Sequence, residues 1–168
     1  MTETATRKAV VLQPDDGRHY WQPQPTGGYA SVKLAAEQTG RDDYSMGVQV
    51  VPPGGMVRQH AHTRNDEVLF FWEGEGRAII DGEEHELRPG TTVLAVPYAE
   101  HCFINDGDVD LKFVWMMLPA DLEDWFAAIG RPRTPGEPAP APFERPADIG
   151  DIQERHGFVR SETQSEKV

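Results

Sequence analysis

His60 and His62 stand one residue apart, and Glu67 follows five positions after the second. Neutral imidazole and carboxylate both suit a divalent transition metal. Two histidines plus one carboxylate, with open positions, is a recurring non-haem iron arrangement. In a β-strand, residues i and i+2 share a face, so the two imidazoles project together. Thr63 to Asp66 reads as a polar loop. A hairpin closed there pairs His62 with Glu67 across two strands. His101, opening "HCFIN" after the turn "VPYAE", is a candidate third imidazole that a closed barrel brings beside the others. An isolated His-x-His is more often an accident of a polar strand, and Glu67 alone is an ordinary hairpin charge. The joint pattern is what points to a metal. His19, His85 and His156 have no such setting and read as surface or structural residues.

The elements that must position these side chains are short strands. "KAVVL", "YASVKLAA", "YSMGVQVVP", "EVLFFWEG", "GRAII", "EHEL", "TTVLAVP", "HCFIN" and "LKFVWMML" follow one another with turn signals between them. Asp81-Gly82 is a two-residue hairpin turn, glycine accepting the positive φ required there. Strands at this spacing predict an antiparallel sandwich or barrel, and the helical crossovers of a βαβ fold are not visible. After Pro119 the period changes. Leu122, Trp125, Phe126 and Ile129 form one face of a helix, with Asp121 as N-cap and Gly130 just past its end. Residues 131–146 carry six prolines and read as an extended strap anchored by Phe143, in preference to a ligand for a proline-recognising module. A second short helix is expected from Asp148, burying Ile149 and Ile152 and stopping at Gly157. The domain reading is a polar tail over 1–8, a barrel over 9–118, helix, strap and helix over 119–160, and a loose tail over 161–168.

Composition narrows the function. The 168 residues carry 28 acidic and 16 basic side chains, a net charge of −12. Such a surface repels a duplex or an anionic membrane, so neither nucleic acid nor membrane is an expected partner. Cys102 is the single cysteine, so nothing requires an oxidising compartment. The first residues lack a signal-peptide apolar core, and no apolar run approaches the roughly 20 residues that span a bilayer. A cytoplasmic protein is expected.

The spacing of Gly54, His60, His62, Glu67 and Gly74 resembles the first motif of the cupins in full, and Gly90, His101 and Asn105 match the frame of their second. The likeness covers roughly residues 43–118. Val96 and Tyr98 depart from it, standing where that motif carries proline and glycine, with Pro97 one place later. The departure concerns the shape of that loop and leaves His101 in place. The resemblance implies an all-β, single-domain cupin, a double-stranded β-helix or jelly-roll barrel, here with short C-terminal helices. It implies His60, His62, Glu67 and His101 as ligands of one divalent metal inside the open end, with Glu67 either ligating or acting as a catalytic base. Iron(II) is favoured; manganese, nickel, cobalt, copper and zinc accept the same donors. It also implies a homodimer, for which "KAVVL" is a candidate contact. The segment after Pro119 is similar to the tail of quercetinase-like small cupins.

Strand alternation predicts the substrate pocket. Leu69 and Phe71 follow Glu67 at even spacing, and Phe103 follows His101. If Lys112 faces outward, Phe113, Trp115 and Met117 face in. Such a pocket suits a planar or enolic small molecule, although aromatic residues inside a barrel also serve as plain core. Arg58 and Gln59, just before the ligands, are candidates to reach substrate. Cys102 points to the face opposite His101 and reads as packing. The expected function is a metal-dependent dioxygenase, an oxidoreductase taking a small enol or phenol and dioxygen. A lyase or isomerase on the same site is the alternative, and a non-catalytic small-molecule-binding cupin a further one.

Overall fold

The computed structural model describes residues 8–159. The elements run β1 (Arg18–Trp21), β2 (Tyr29–Leu34), α1 (Ala36–Thr39), β3 (Ser45–Val51), β4 (Met56–His62), β5 (Asp66–Glu73), β6 (Gly76–Ile80) and β7 (Glu83–Leu87). They continue with β8 (Thr92–Ala95), β9 (His101–Ile104), β10 (Leu111–Leu118), α2 (Leu122–Ile129), β11 (Arg131–Pro132), α3 (Ile149–Arg155) and β12 (Phe158–Val159). All pairings are antiparallel. One sheet has the order β11-β1-β2-β3-β10-β5-β8 and the other β12-β4-β9-β6-β7. The expected tails fall largely on residues 1–7 and 160–168, which lie outside the described residues.

Local chemistry explains the hairpins. Asp81 and Gly82 both take positive φ, 49° and 85°, the twist that lets β6 fold back on β7 with Ile80 opposite Glu83. Gly74 takes φ 84°, and a Cβ there would lie 2.4 Å from the Asp110 carbonyl oxygen, so only glycine fits.

Alternation on β10 turns Leu111, Phe113, Trp115 and Met117 inward. Two apolar clusters result. Leu69, Phe71, Phe103 and Phe113 fill the space between the sheets with Val51 and Leu111. Trp115 and Met117 belong to a second cluster, sealed by Leu122, Trp125, Phe126 and Ile129 of α2. Burying that helical stripe supplies the stabilisation an eight-residue helix lacks by itself.

Three expectations are corrected. Residues 8–13 form no strand, and Val11 is 78% exposed. Both sides of β1 are already taken, by β2 and β11, so "KAVVL" has no place beside it. Asp121 holds the N-cap position of α2 as expected, but its side chain makes no capping hydrogen bond; its carboxylate accepts hydrogen bonds from Arg64 (3.1 Å) and His156 (3.3 Å) instead. Most consequentially, β4 and β5 do not pair. The loop at 63–65 carries the chain from one sheet to the other, pinned by buried Asn65, whose amide donates to the Pro119 carbonyl at 2.7 Å.

The proline-rich stretch is extended and tied down along its length. The Gln24 amide donates to the Phe143 carbonyl (2.8 Å), and the Arg131 guanidinium lies 4.0 Å over the Phe143 ring. Trp21 Nε1 donates to Glu137 at 2.7 Å, and Arg133 lies 3.9 Å over the Tyr29 ring.

Candidate metal centre

β4 carries His60 and His62, β9 begins with His101, and β5 carries Glu67. Because β4 and β9 are neighbours, His60 and His101 stand opposite each other in register. Their rings are 4.2 Å apart, and the His60 and His62 rings 5.1 Å apart. Glu67 arrives across the barrel from the seven-stranded sheet. Its Oε2 lies 3.2 Å from His62 Nε2 and 3.0 Å from His101 Nε2. Convergence therefore comes from the change of sheet at 63–65, not from a hairpin ladder. One donor atom from each of the four residues lies within 4.8 Å of the others.

Tyr98 lies in the second-motif loop before His101. That residue takes φ 67°, the left-handed conformation glycine would favour, and its amide donates to the His62 carbonyl at 2.8 Å. The side chain pays for this only in backbone strain, since it lies 66% exposed.

Hydrogen bonding sets which nitrogen faces the centre. His60 Nδ1 lies 2.7 Å from the Arg58 carbonyl and His101 Nδ1 lies 2.9 Å from that of Ala99. A carbonyl only accepts, so each Nδ1 carries its proton and Nε2 is the ligating atom. Burial would raise the Glu67 pKa, but the hydrogen bonds from His101 and His62 outweigh it and hold the carboxyl well below the usual carboxylate range. Burial would lower His101, and the bond and charge of Glu67 overcome that, so its pKa is raised. His60 lacks a carboxylate contact; burial, then the charges of His101 and His62, push it well below its ordinary value. His101 thus has an acceptor at both nitrogens and Glu67 is desolvated and anionic. The centre is built around a positive charge, and three Nε2 lone pairs with one carboxylate form a donor set that fits a divalent transition metal.

A cavity of about 650 Å³ opens from this centre, with His60 and Glu67 in its wall. Of the residues expected in the pocket, Leu69, Phe103 and Phe113 line it. Phe71, Trp115 and Met117 do not. Phe71 is fully buried between the sheets, and the other two lie under α2. Facing inward was correctly read for them, but depth along the strand decides who reaches the cavity. Arg58 and Gln59 both line it. Sequence reasoning missed the C-terminal wall, where Trp125, Phe126, Arg145, Gln153 and Phe158 face the same space. The helical stripe at 122–129 signalled a buried face without saying what it covers. Cys102 is buried, and burial pushes its thiol up to about 11, so it is packing. Among the described residues, no helix is long and apolar enough to cross a membrane.

Comparison with known proteins agrees with this geometry. The model of the cupin domain matches residues 47–117. The protein SchB of Streptomyces halstedii is 31% identical over 55% of this chain and 67% of its own. The tetracenomycin polyketide synthase protein TcmJ of Streptomyces glaucescens is 26% identical over 74% of this chain and 80% of its own. The solved structure of the polyketide cyclase RemF from Streptomyces resistomycificus superposes with a TM-score of 0.59 at 15% identity, covering 67% of this chain and 81% of that one. Among the other curated relatives, some are spanned over only 60% of their length.

Proposed function

The chain belongs to the cupin family, and on that premise we propose that it is a metal-dependent enzyme acting on an enolic or phenolic small molecule, with dioxygenation as its reaction. The observation that carries this is four convergent donors at the inner end of a cavity walled by aromatic faces and amide side chains. A divalent ion held by His60, His62, His101 and Glu67 supplies Lewis acidity that stabilises a deprotonated enol or phenol oxygen.

The chain's own residues do the rest. Phe103, Phe113, Trp125 and Phe158 offer flat apolar walls for a planar ring. Gln22, Gln49 and Gln153 each present both a donor and an acceptor, which suits carbonyl and hydroxyl groups alike. Glu67 serves as the anionic ligand. Oxygen adds to the electron-rich carbon of the oriented enolate. Mixing Fe(II)-loaded protein with a panel of flavonols, catechols and β-diketones should accelerate oxygen uptake for at least one class. No change across the panel counts against dioxygenation.

A second reading has its own support. TcmJ and RemF are named for polyketide assembly and cyclisation. The same stabilised enolate can attack a carbonyl of its own chain, closing a ring without oxygen. Anaerobic conversion of a poly-β-carbonyl substrate with loss of water, and no oxygen uptake, would favour this reading. Lyase and isomerase chemistry, also oxygen-independent, would show as cleavage or as a product of unchanged mass.

A further inference from the structure

Two arginines face the cavity. Arg58, exposed on β4, stands two residues before His60, and Arg145 reaches in from the end of the proline-rich strap. The arginine–carboxylate pairs among the described residues involve Arg18, Arg41, Arg64 and Arg77, and neither of these two. Among the described residues, Glu67 is the one acidic residue in the cavity wall, and its Oε2 is engaged by His62 and His101. Arg145 Nε is buried and makes no hydrogen bond. A chain with 28 acidic side chains has ample means to neutralise a guanidinium, yet among the described residues none pairs with either arginine. Placing two like charges together in a partly dry space costs free energy unless an anion joins them. Burial, then the charge of Arg58, lowers the Arg145 pKa to about 10, which leaves it cationic at neutral pH.

We propose that Arg58 and Arg145 form an anion-recognition subsite, and that the substrate carries a carboxylate which they hold while its enol or phenol end points to the histidines. This rests on the reading of the cavity as the substrate site. A guanidinium presents a planar fork that matches a carboxylate with two parallel hydrogen bonds. Two forks from different segments, one on the barrel and one on the strap, fix both the position and the direction of an elongated acid. The aromatic residues that line the same cavity accept its ring.

The test is calorimetric titration with 6-hydroxy-2-naphthoate and with its methyl ester, on metal-free and metal-loaded protein. The acid should bind at least ~10-fold tighter than the ester, as charge-assisted hydrogen bonds are about twice as strong as neutral ones. That preference should disappear in Arg58→Met and Arg145→Met and persist in Arg88→Met, which removes an exposed arginine outside the cavity. Arg58 is exposed, so Arg58→Met decides the question even if Arg145→Met fails to fold. Equal affinities, a preference that survives both substitutions, or no saturable binding of the acid each overturn the proposal. Binding is read without turnover. An acid preference in a protein that converts no enol therefore sustains the arginine pair and sinks the enzyme reading, and turnover without a preference sinks the pair alone.

Discussion

The cavity has two walls of different origin. The barrel wall supplies the four donors from strands whose spacing is visible in the chain. The other wall, from α2 through β12, supplies Trp125, Phe126, Arg145, Gln153 and Phe158, and none of the donors. One side carries every donor, and the other closes the cavity over them. The contrast teaches that a site can be half local in its logic. Ligands ride on period-two alternation, whereas the covering segment is placed by contacts between residues more than a hundred positions apart, such as Trp21 with Glu137.

If that division holds, damage to each wall should show differently. Trp125→Ala, which removes a buried ring stacked 4.1 Å from Phe158, should cost about 3–5 kcal/mol in chemical denaturation, the usual range for a buried Trp→Ala. Metal affinity per folded molecule should change far less. His101→Ala should do the reverse. Loss of a partner behind a ligand already costs about 10–100-fold in affinity, so loss of this ligand should exceed ~100-fold, read by equilibrium dialysis. A His101→Ala protein that binds metal normally would erase the distinction.

Glu67→Gln sharpens the role of the carboxylate. As a ligand, its neutralisation should weaken metal binding about tenfold or more. A base would instead lose turnover with metal fully retained. Metal analysis beside kinetics separates the two.

Acid should act through the histidines. A raised folded pKa means that protons compete with metal for His101 already above its ordinary 6.5, so affinity should begin to fall before pH drops to 6.5, by about tenfold per unit below the folded value. Without metal, the signs differ by residue. His101, raised, stabilises the fold fully below 6.5, and that contribution is lost as pH climbs through its folded value. His60, lowered, opposes folding as pH falls through 6.5. Glu67, lowered from 4.5, contributes fully above that value and loses its contribution as pH falls below it. Metal-free stability should therefore peak near 6.5, and a monotonic rise with pH would contradict the His101–Glu67 bond. The smallest effect is at Tyr98, where glycine relieves left-handed strain on an exposed side chain. Tyr98→Gly should raise stability by up to ~1 kcal/mol, since the flexibility glycine adds to the unfolded chain offsets part of the gain.

How far the chain could be read follows the same line. His60 and His62 share a side because alternation is local, and Asp81-Gly82 turned where glycine permits it. The inward set of β10 was equally plain. The route of Glu67 was not, because a polar loop looks alike whether it closes a hairpin or changes sheets. "KAVVL" has strand-forming side chains, but β1, the next strand in the chain, is already paired on both sides. Arg145 carries no pattern at all; only the path of the strap brings it to Arg58.

Glu67 is the one member of the four that belongs to the seven-stranded sheet; the three imidazoles belong to the five-stranded one. Charge at the centre is thus also a tether between two halves of the molecule. Protonation or occupancy there is felt as tension along both ladders, and amide exchange on strands that do not pair with the donor-carrying strands, β3 in one sheet and β7 in the other, becomes a gauge of it.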